Sequence, residues 1–277
     1  MALGALGGAA GAWSLFESQW VELNEVEVPI ERLPSDLDGF RILHLSDFHL
    51  GTLSLNGRAL TKAVAWALPG HGREGEAERA IDLIAITGDL LSRRRGRDAL
   101  VAALAQLRAA HGVYAVLGNH DIAETRDPFA EASGLTALPH ATLLLDEGRT
   151  VEVRGRRVQI VGVEPRSFAE RRSRPHDVAD PVADLRILLC HFPDVVRWLP
   201  PGAFDLVLAG HLHGGQICFP SPWGKVHFEH LRAAHWEGLH RTPFGMLYVS
   251  RGLGTSFVPF RLLARPEVAL LTLKQSN

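Results

Sequence analysis

A chain of 277 residues is long enough for one large α/β domain or two small ones, with a sizeable buried core. Its 46% hydrophobic and 22% charged residues are ordinary for a globular protein, and a formal charge of −2 argues against nucleic acid as a partner. Two cysteines, Cys190 and Cys218, with no CxxC spacing argue against a disulfide framework or a thiolate zinc site, whereas fourteen histidines direct attention to metal and acid–base chemistry.

The stretch Ala2–Phe16 is small, apolar and uncharged. It is shorter than the roughly 20 residues of a membrane span and lacks the positive start of a signal peptide. Three alternatives stand: the remnant of a signal anchor that begins upstream of Met1, an interfacial helix, or a helix packed on the domain. Residues 1–38 divide into this segment and a lead-in strand, Val21–Val28; residues 39–277 form the main domain. Strand–helix alternation follows: a strand at Arg41–Leu45, a helix around Arg58–Leu68, a loop at Pro69–Gly75, an apolar run at Ile81–Thr87, a helix over Asp98–Ala110 capped by Asp98, and a strand at Val113–Leu117. Thr142–Leu145, Thr150–Val153 and Arg157–Val163 are short β runs separated by turn residues, which predicts antiparallel hairpins. Glu164–Val182 reads as a polar, arginine-bearing loop. Strands return at Leu185–Leu189, Phe204–Leu208, Met246–Ser250 and Leu270–Leu273. The pattern predicts a mixed-sheet α/β domain with two sheets packed together.

Five strand-like runs end in residues able to hold a metal: Asp47 and His49; Asp89; Asn119 and His120; His191; His211 and His213. A single such residue is an ordinary cap or turn, but five successive strand ends are not explained that way. The donors are nitrogen and oxygen without sulfur, which suits Mn²⁺, Fe²⁺ or Zn²⁺ better than Ca²⁺. Three oxygen donors and up to five imidazoles exceed one tetrahedral shell, so two divalent ions sharing a carboxylate account for them better, and such a pair clamps displacement at phosphorus.

The ordered set D-x-H (Asp47, His49), G-D (Gly88, Asp89), G-N-H-D (Gly118 to Asp121), His191 and G-H-x-H (Gly210 to His213) resembles the calcineurin-like metallophosphoesterase superfamily, and the likeness runs from Phe40 to about Leu273. The run GHLHGGQ and the tail SRGLGTSFVPFRLLARPEVALLTL are similar to the bacterial branch of YaeI- and YkuE-like phosphoesterases, with the pyrophosphatases that cleave UDP-2,3-diacylglucosamine as a related alternative. The resemblance implies a four-layer αββα sandwich with two mixed β-sheets. It implies that Asp47, His49 and His213 hold one ion, that Asn119, His191 and His211 hold a second, and that Asp89 bridges them. The nucleophile would be the hydroxide between the ions. His120 would not be a ligand; it would stabilise or protonate the leaving oxygen. Mn²⁺ is the first choice of metal, with Fe²⁺ or Zn²⁺ as alternatives.

One departure stands out. Protein-phosphatase members carry GDxxDRG, whose second Asp orients the catalytic His; here Ser92 occupies that place, which argues against a protein phosphatase and leaves open what orients His120. Asp121 is adjacent in sequence without a defined direction. Arg93, Arg94, Arg95 and Arg97 follow Asp89, so at least one is expected near the mouth of the site, and the others are expected in a solvated loop. A second cluster (Arg166, Arg171, Arg172, Arg174), paired with the apolar N-terminus, suits an anionic membrane surface. Phe257, Val258, Phe260, Leu262 and Leu263 line an acyl groove or form a packed C-terminal turn.

The function expected is a dinuclear metal-dependent phosphodiesterase or pyrophosphatase acting on a phosphate ester, with lipid-linked or nucleotide-sugar substrates in view. The rivals are a general phosphomonoesterase or nucleotide phosphodiesterase, and a metal-binding module without turnover. Peripheral membrane contact in a bacterium is expected, with the side of the membrane and the oligomeric state open.

Overall fold

A computed structural model describes residues 2–52, 54–67, 80–222, 224–227 and 233–276. The expected loop Pro69–Gly75 and the last residue of the expected helix, Leu68, lie outside the described residues. In chain order the elements begin with α1 (Ala2–Glu17), β1 (Glu22–Glu31), β2 (Arg41–Leu45), α2 (Asn56–Trp66), β3 (Leu83–Thr87), α3 (Arg97–Leu104) and β4 (Val113–Val116). The middle contributes β5 (Thr142–Leu143), β6 (Glu147–Val153), β7 (Arg156–Gly162), α4 (Pro165–Ala169), α5 (Pro175–Val178), β8 (Leu185–Leu189) and β9 (Leu206–Ala209). The chain closes with β10 (Cys218–Ser221), β11 (Gly224–His227), β12 (Gly238–Thr242), β13 (Gly245–Val249) and β14 (Glu267–Ser276).

Two six-stranded mixed sheets result, in the orders β1-β14-β2-β3-β4-β5 and β12-β13-β9-β8-β7-β6. Within the first, β2, β3, β4 and β5 run parallel and β14 runs antiparallel to β2. Within the second, β7, β8, β9 and β13 run parallel. Alternation along each strand builds three apolar layers. Leu43, Leu45, Ile84 and Ile86 face α2 and α3. Ile42, Leu83, Ala85 and Val116 face Ile160, Ile187, Leu206 and Tyr248 between the sheets. Val161, Leu188, Val207 and Leu247 face Phe168, Val195 and Leu199 beyond the second sheet. These are the two packed mixed sheets expected from the sequence. The outer layer on the second sheet is thin, made of α4 and a 3₁₀ turn at Pro193–Trp198 rather than long helices.

Several elements differ from the sequence pattern for local reasons. The helix expected to Ala110 stops at Leu104, because Ala110 and His111 donate instead to the carbonyls of Ile81 and Asp82 at the foot of β3. Asp98 lies in the first turn, where it complements the helix dipole, and Gly96 takes the capping position. Thr142–Leu143 forms no hairpin with the next run. It pairs parallel to β4, and Leu144 then crosses into the inter-sheet core, so Asp146-Glu147-Gly148 carries the chain from one sheet to the other. The hairpin β6–β7 forms as expected. The polar loop holds two short helices, each started by a proline at its first position, and Glu164 caps the first by accepting from Ser167 N–H. The last turn of α1 docks on the C-terminal segment: Arg261 N–H donates to Ser14 O and Ala264 N–H to Glu17 Oε1. No helix among the described residues is long and apolar enough to cross a membrane.

Within β2, the position between Leu43 and Leu45 is His44, fully buried between the sheets. Its Nε2 bonds Thr87 Oγ1 at 2.8 Å and its ring meets Tyr248 edge-on, while burial pushes its imidazole down to about 3. A histidine held neutral in the fold and free to charge when unfolded stabilises fully above pH 6.5 and loses that contribution as pH falls toward 3. Thermal melting of the metal-free protein is therefore expected to lose up to about 1.4 kcal/mol per pH unit below 6.5 from this group. His44→Gln should flatten that slope, and an unchanged slope would remove His44 as its cause.

Candidate metal centre

The parallel strands deliver their ligand-type residues at their carboxyl ends: Asp47 and His49 after β2, Asp89 after β3, Asn119 and His120 after β4, His191 after β8, and His211 and His213 after β9. Five of these residues have left-handed backbones, with φ of 55° at Asp47, 47° at His49, 52° at Asp89, 75° at His211 and 51° at His213. Each costs about 1–3 kcal/mol and persists only where the surroundings enforce it. The enforcement is visible: Asp47 N–H donates to Gly88 O, His49 N–H to Asp89 O, and Gly210 N–H to His191 O, so neighbouring loops lock one another.

The side chains meet in one buried pit. At one pole His49 Nε2 and His213 Nε2 face each other at 3.0 Å, and Asp47 Oδ1 stands 3.5 Å from His213 Nε2. At the other pole His191 Nε2 lies 3.0 Å from Asn119 Oδ1 and 3.1 Å from His211 Nδ1. Asp89 Oδ2 sits between the poles, 3.4 Å from His49 Nε2 and 3.4 Å from His191 Nε2. Three overlapping groups could hold an ion: Asp47, His49 and His213; Asp47, Asp89 and His191; His49, Asp89 and His120. All seven residues expected as ligands are thus brought together, and His120, expected not to be one, packs beside them with its ring edge-on to His49.

The donor chemistry fits a cation. His191 Nδ1 donates to Thr87 O at 2.8 Å, which turns Nε2 into the pit, where it becomes a donor to a cation on losing its proton. Burial alone would lower His191, but Asp89 and Asp47 reverse that and raise it to about 9. Burial and the neighbouring His120 hold His49 down to about 3; burial and His49 hold His213 well below the usual imidazole range. Burial would raise Asp89, yet His191 and His120 outweigh it and keep Asp89 well below the usual carboxylate range. Burial raises Asp47 to about 6 against the pull of His191.

Backbone packing around the carboxylates is tight enough to require glycine at two points. A Cβ on Gly118 would lie 2.1 Å from Asp89 Oδ1, and one on Gly210 would lie 2.4 Å from Asp47 Oδ2.

The residues around the pit correct and extend the sequence reading. Ser92, which a sequence comparison places near His120, bonds His49 Nδ1 at 3.0 Å instead. Asp121 turns away and accepts from the N–H groups of Leu90, Leu91 and Gly118, tying the Gly-Asp and Gly-Asn turns together. Burial and Asp89 raise it to about 7. Asp127 stands 3.8 Å from His120 Nδ1; nothing in its sequence context, an ordinary Asp-Pro turn, points there. Arg261 is wholly buried and donates to the carbonyls of His213, Arg251 and Ala264, with Nη2 3.3 Å from His213 Nδ1. A lone arginine inside the run VPFRLLA was the available signal for it. Arg93 and Arg95 border a cleft of about 230 Å³ beside Asp127, walled by Phe129, Phe257 and Val258. In the second arginine cluster, Arg166 pairs with Glu124 and Arg172 with Glu170.

Residues 40–215 match the profile of the calcineurin-like phosphoesterases. The chain is 31% identical to the metallophosphoesterase YkoQ of Bacillus subtilis over 82% of its own length and 81% of that protein's. It is 30% identical to YkuE of the same organism over 100% and 94%, and 27% identical to the phosphodiesterase YaeI of Escherichia coli over 84% and 82%. Among solved structures, the NAD nucleotidase of Haemophilus influenzae aligns with a TM-score of 0.43 at 14% identity, over 76% of this chain and 49% of that one.

Two outcomes are expected of this pit. Gly118→Ala should displace Asp89 and lower bound divalent metal, measured by elemental analysis, with a folded far-UV spectrum retained. Because an ion must replace the proton that His191 otherwise holds up to about pH 9, calorimetry in buffers of different ionisation heat should show proton release on Mn²⁺ binding, with affinity rising toward pH 9. No proton release at pH 7 would contradict the raised His191.

Proposed function

Because the chain belongs to the calcineurin-like phosphoesterase family, and is accordingly a metal-dependent phosphoric ester hydrolase, we propose that it works with two divalent ions on a phosphodiester or pyrophosphate bond. The observation that carries this reading is the placement of Asp89 Oδ2 at 3.4 Å from a histidine of each pole. A carboxylate oxygen shared between two donor sets suits a bridge, whereas a single ion would leave half the donors unused.

In this reading Asp47, His49 and His213 hold one ion and Asn119, His191 and His211 the other. When bound, the ions supply positive charge for the phosphate oxygens and water made acidic enough to attack at neutral pH. Mn²⁺ fits the mixed oxygen and nitrogen donors, as do Fe²⁺ and Zn²⁺. Ser92 and Thr87 O fix the rings of His49 and His191, so their lone pairs stay aimed inward. The amides of His211 and His120 donate to Asp47 and Asp89 and fix the carboxylates. His120 remains outside the ligand set and holds a proton toward the leaving oxygen.

A diester is favoured over a monoester by the cleft beside His120. Phe257 meets the His120 ring edge-on at 6.4 Å, and its neighbour Val258 and Phe129 are exposed on the same cleft. This surface suits an apolar or aromatic leaving group, with Arg93 and Arg95 at the rim for a second anionic group. A lipid-linked ester at a bacterial membrane is the finer form of this reading. It draws support from the exposed Trp13, Phe16 and Trp20, which pack together beside Arg265.

The protein is expected to bind two Mn²⁺ per chain and to turn over bis(p-nitrophenyl) phosphate faster than the monoester. Asp47→Ala should empty one metal site before the other, and equal loss of both ions would refute the partition. His120→Ala should cut kcat by about 10²-fold or more with metal retained. Retention of full rate would remove His120 from the chemistry, and metal binding without turnover across diester, monoester and UDP-diacyl sugar would favour a binding module.

A further inference from the structure

We propose that Asp127 is the positioning residue of His120, supplying from another loop the carboxylate that the Ser92 position lacks. The proposal rests on the reading of His120 as the proton-holding group.

The two side chains are nearly sealed from solvent, 5% exposed for His120 and 1% for Asp127. His120 Nδ1 is buried and has no hydrogen-bond partner among the described residues. Asp127 Oδ2 faces it at 3.8 Å. Asp127 is itself held: Oδ1 accepts from Phe129 N–H at 2.9 Å and Oδ2 from Phe257 N–H at 3.2 Å. A carboxylate oxygen has further lone pairs to give, and a buried imidazole N–H without an acceptor is costly. The gap exceeds a hydrogen bond by about 1 Å, and contacts of this kind tighten when substrate is bound.

The other candidates near His120 are already engaged. Ser92 is given to His49 and Asp121 to three backbone amides. Thr125 Oγ1 lies 3.2 Å from Nε2, but a hydroxyl brings no charge. Asp127 is therefore the group placed to accept from Nδ1–H and to fix the ring plane, with Nε2 left for the leaving oxygen. As the attacking water's oxygen bonds to phosphorus and the bond from phosphorus to the leaving oxygen breaks, the Nε2 proton passes to that oxygen, while Nδ1–H stays directed at Asp127. The carboxylate does not take up the proton. Since Phe257 donates to the same Oδ2, a leaving group seated in the cleft bears on the backbone that holds Asp127.

The test uses Zn²⁺-loaded protein with ¹⁵N-labelled histidine and bound inorganic phosphate, alongside Mn²⁺ kinetics on aryl phosphodiesters of graded leaving-group acidity. Wild type should show a protonated Nδ1 at His120 with a far-downfield proton. Asp127→Asn keeps an oxygen for Phe129 N–H and should retain the metals, yet shift that signal to the other tautomer. It should lower kcat by about 10²-fold for the poorest leaving groups, much less for p-nitrophenol, with KM little changed. His120→Ala/Asp127→Asn should be no slower than His120→Ala alone. The proposal is overturned if wild-type His120 carries no Nδ1 proton, if Asp127→Asn keeps the wild-type rates across the series, or if the two losses multiply. Should His120→Ala keep full rate, the reading of His120 fails by itself, and the Nδ1 signal still decides whether Asp127 holds the ring.

Discussion

The structure depends on burying the carboxylate of Asp89, which is 1% exposed. A carboxylate in that position is tolerated only among donors and positive charge. The fold meets the need with one amide, from His120, and with imidazoles from two different sheets, His49 and His191. This requirement explains why both sheets must be present and why their strands must end together. It also accounts for Asp121, a second buried carboxylate that binds the two turns flanking Asp89 through three amides.

Strain and rigidity at the site are two aspects of the same arrangement. Left-handed residues at five of the candidate positions swing side chains inward that an extended backbone would send past one another. Loops that hold such conformations need close packing from behind. Leu253 N–H donates to Ser46 O and Gly254 N–H to Asp47 O, so the segment after β13 forms the floor under Asp47. Arg261 pins that floor. Its guanidinium has donors enough to collect the carbonyls of Gly254, Arg251, Ala264 and His213, and burial lowers it only to about 10, so it stays charged.

The parallel strands and the candidate residues at their ends were legible because each apolar run is broken by a polar residue, with a glycine before Asp89 and Asn119. Asp47, Asp89, Asn119 and His191 are of this kind. The short helices of the polar loop were marked by Pro165 and Pro175 but masked by their polarity. What the sequence could not convey was which distant loop satisfies which buried atom. Ser92 and Asp127 differ by 35 positions, and only the folded chain assigns the first to His49 and turns the second toward His120. Likewise, Thr142–Leu143 carries a hairpin-like pattern, yet its partner is β4, because the following Leu144 is needed between the sheets.

The place of β14 has a consequence for synthesis. It lies between β1 and β2, which do not pair with each other, so a strand made after position 266 joins the edge of the first sheet to its centre. On the ribosome, the segments bearing every metal-ligand candidate emerge before that seam can close. The left-handed turns at Asp47 and His49 lack their floor until the residues after β13 arrive. The candidate pit therefore takes shape only after the residues beyond β13 have been made, so the early loops cannot settle it by themselves.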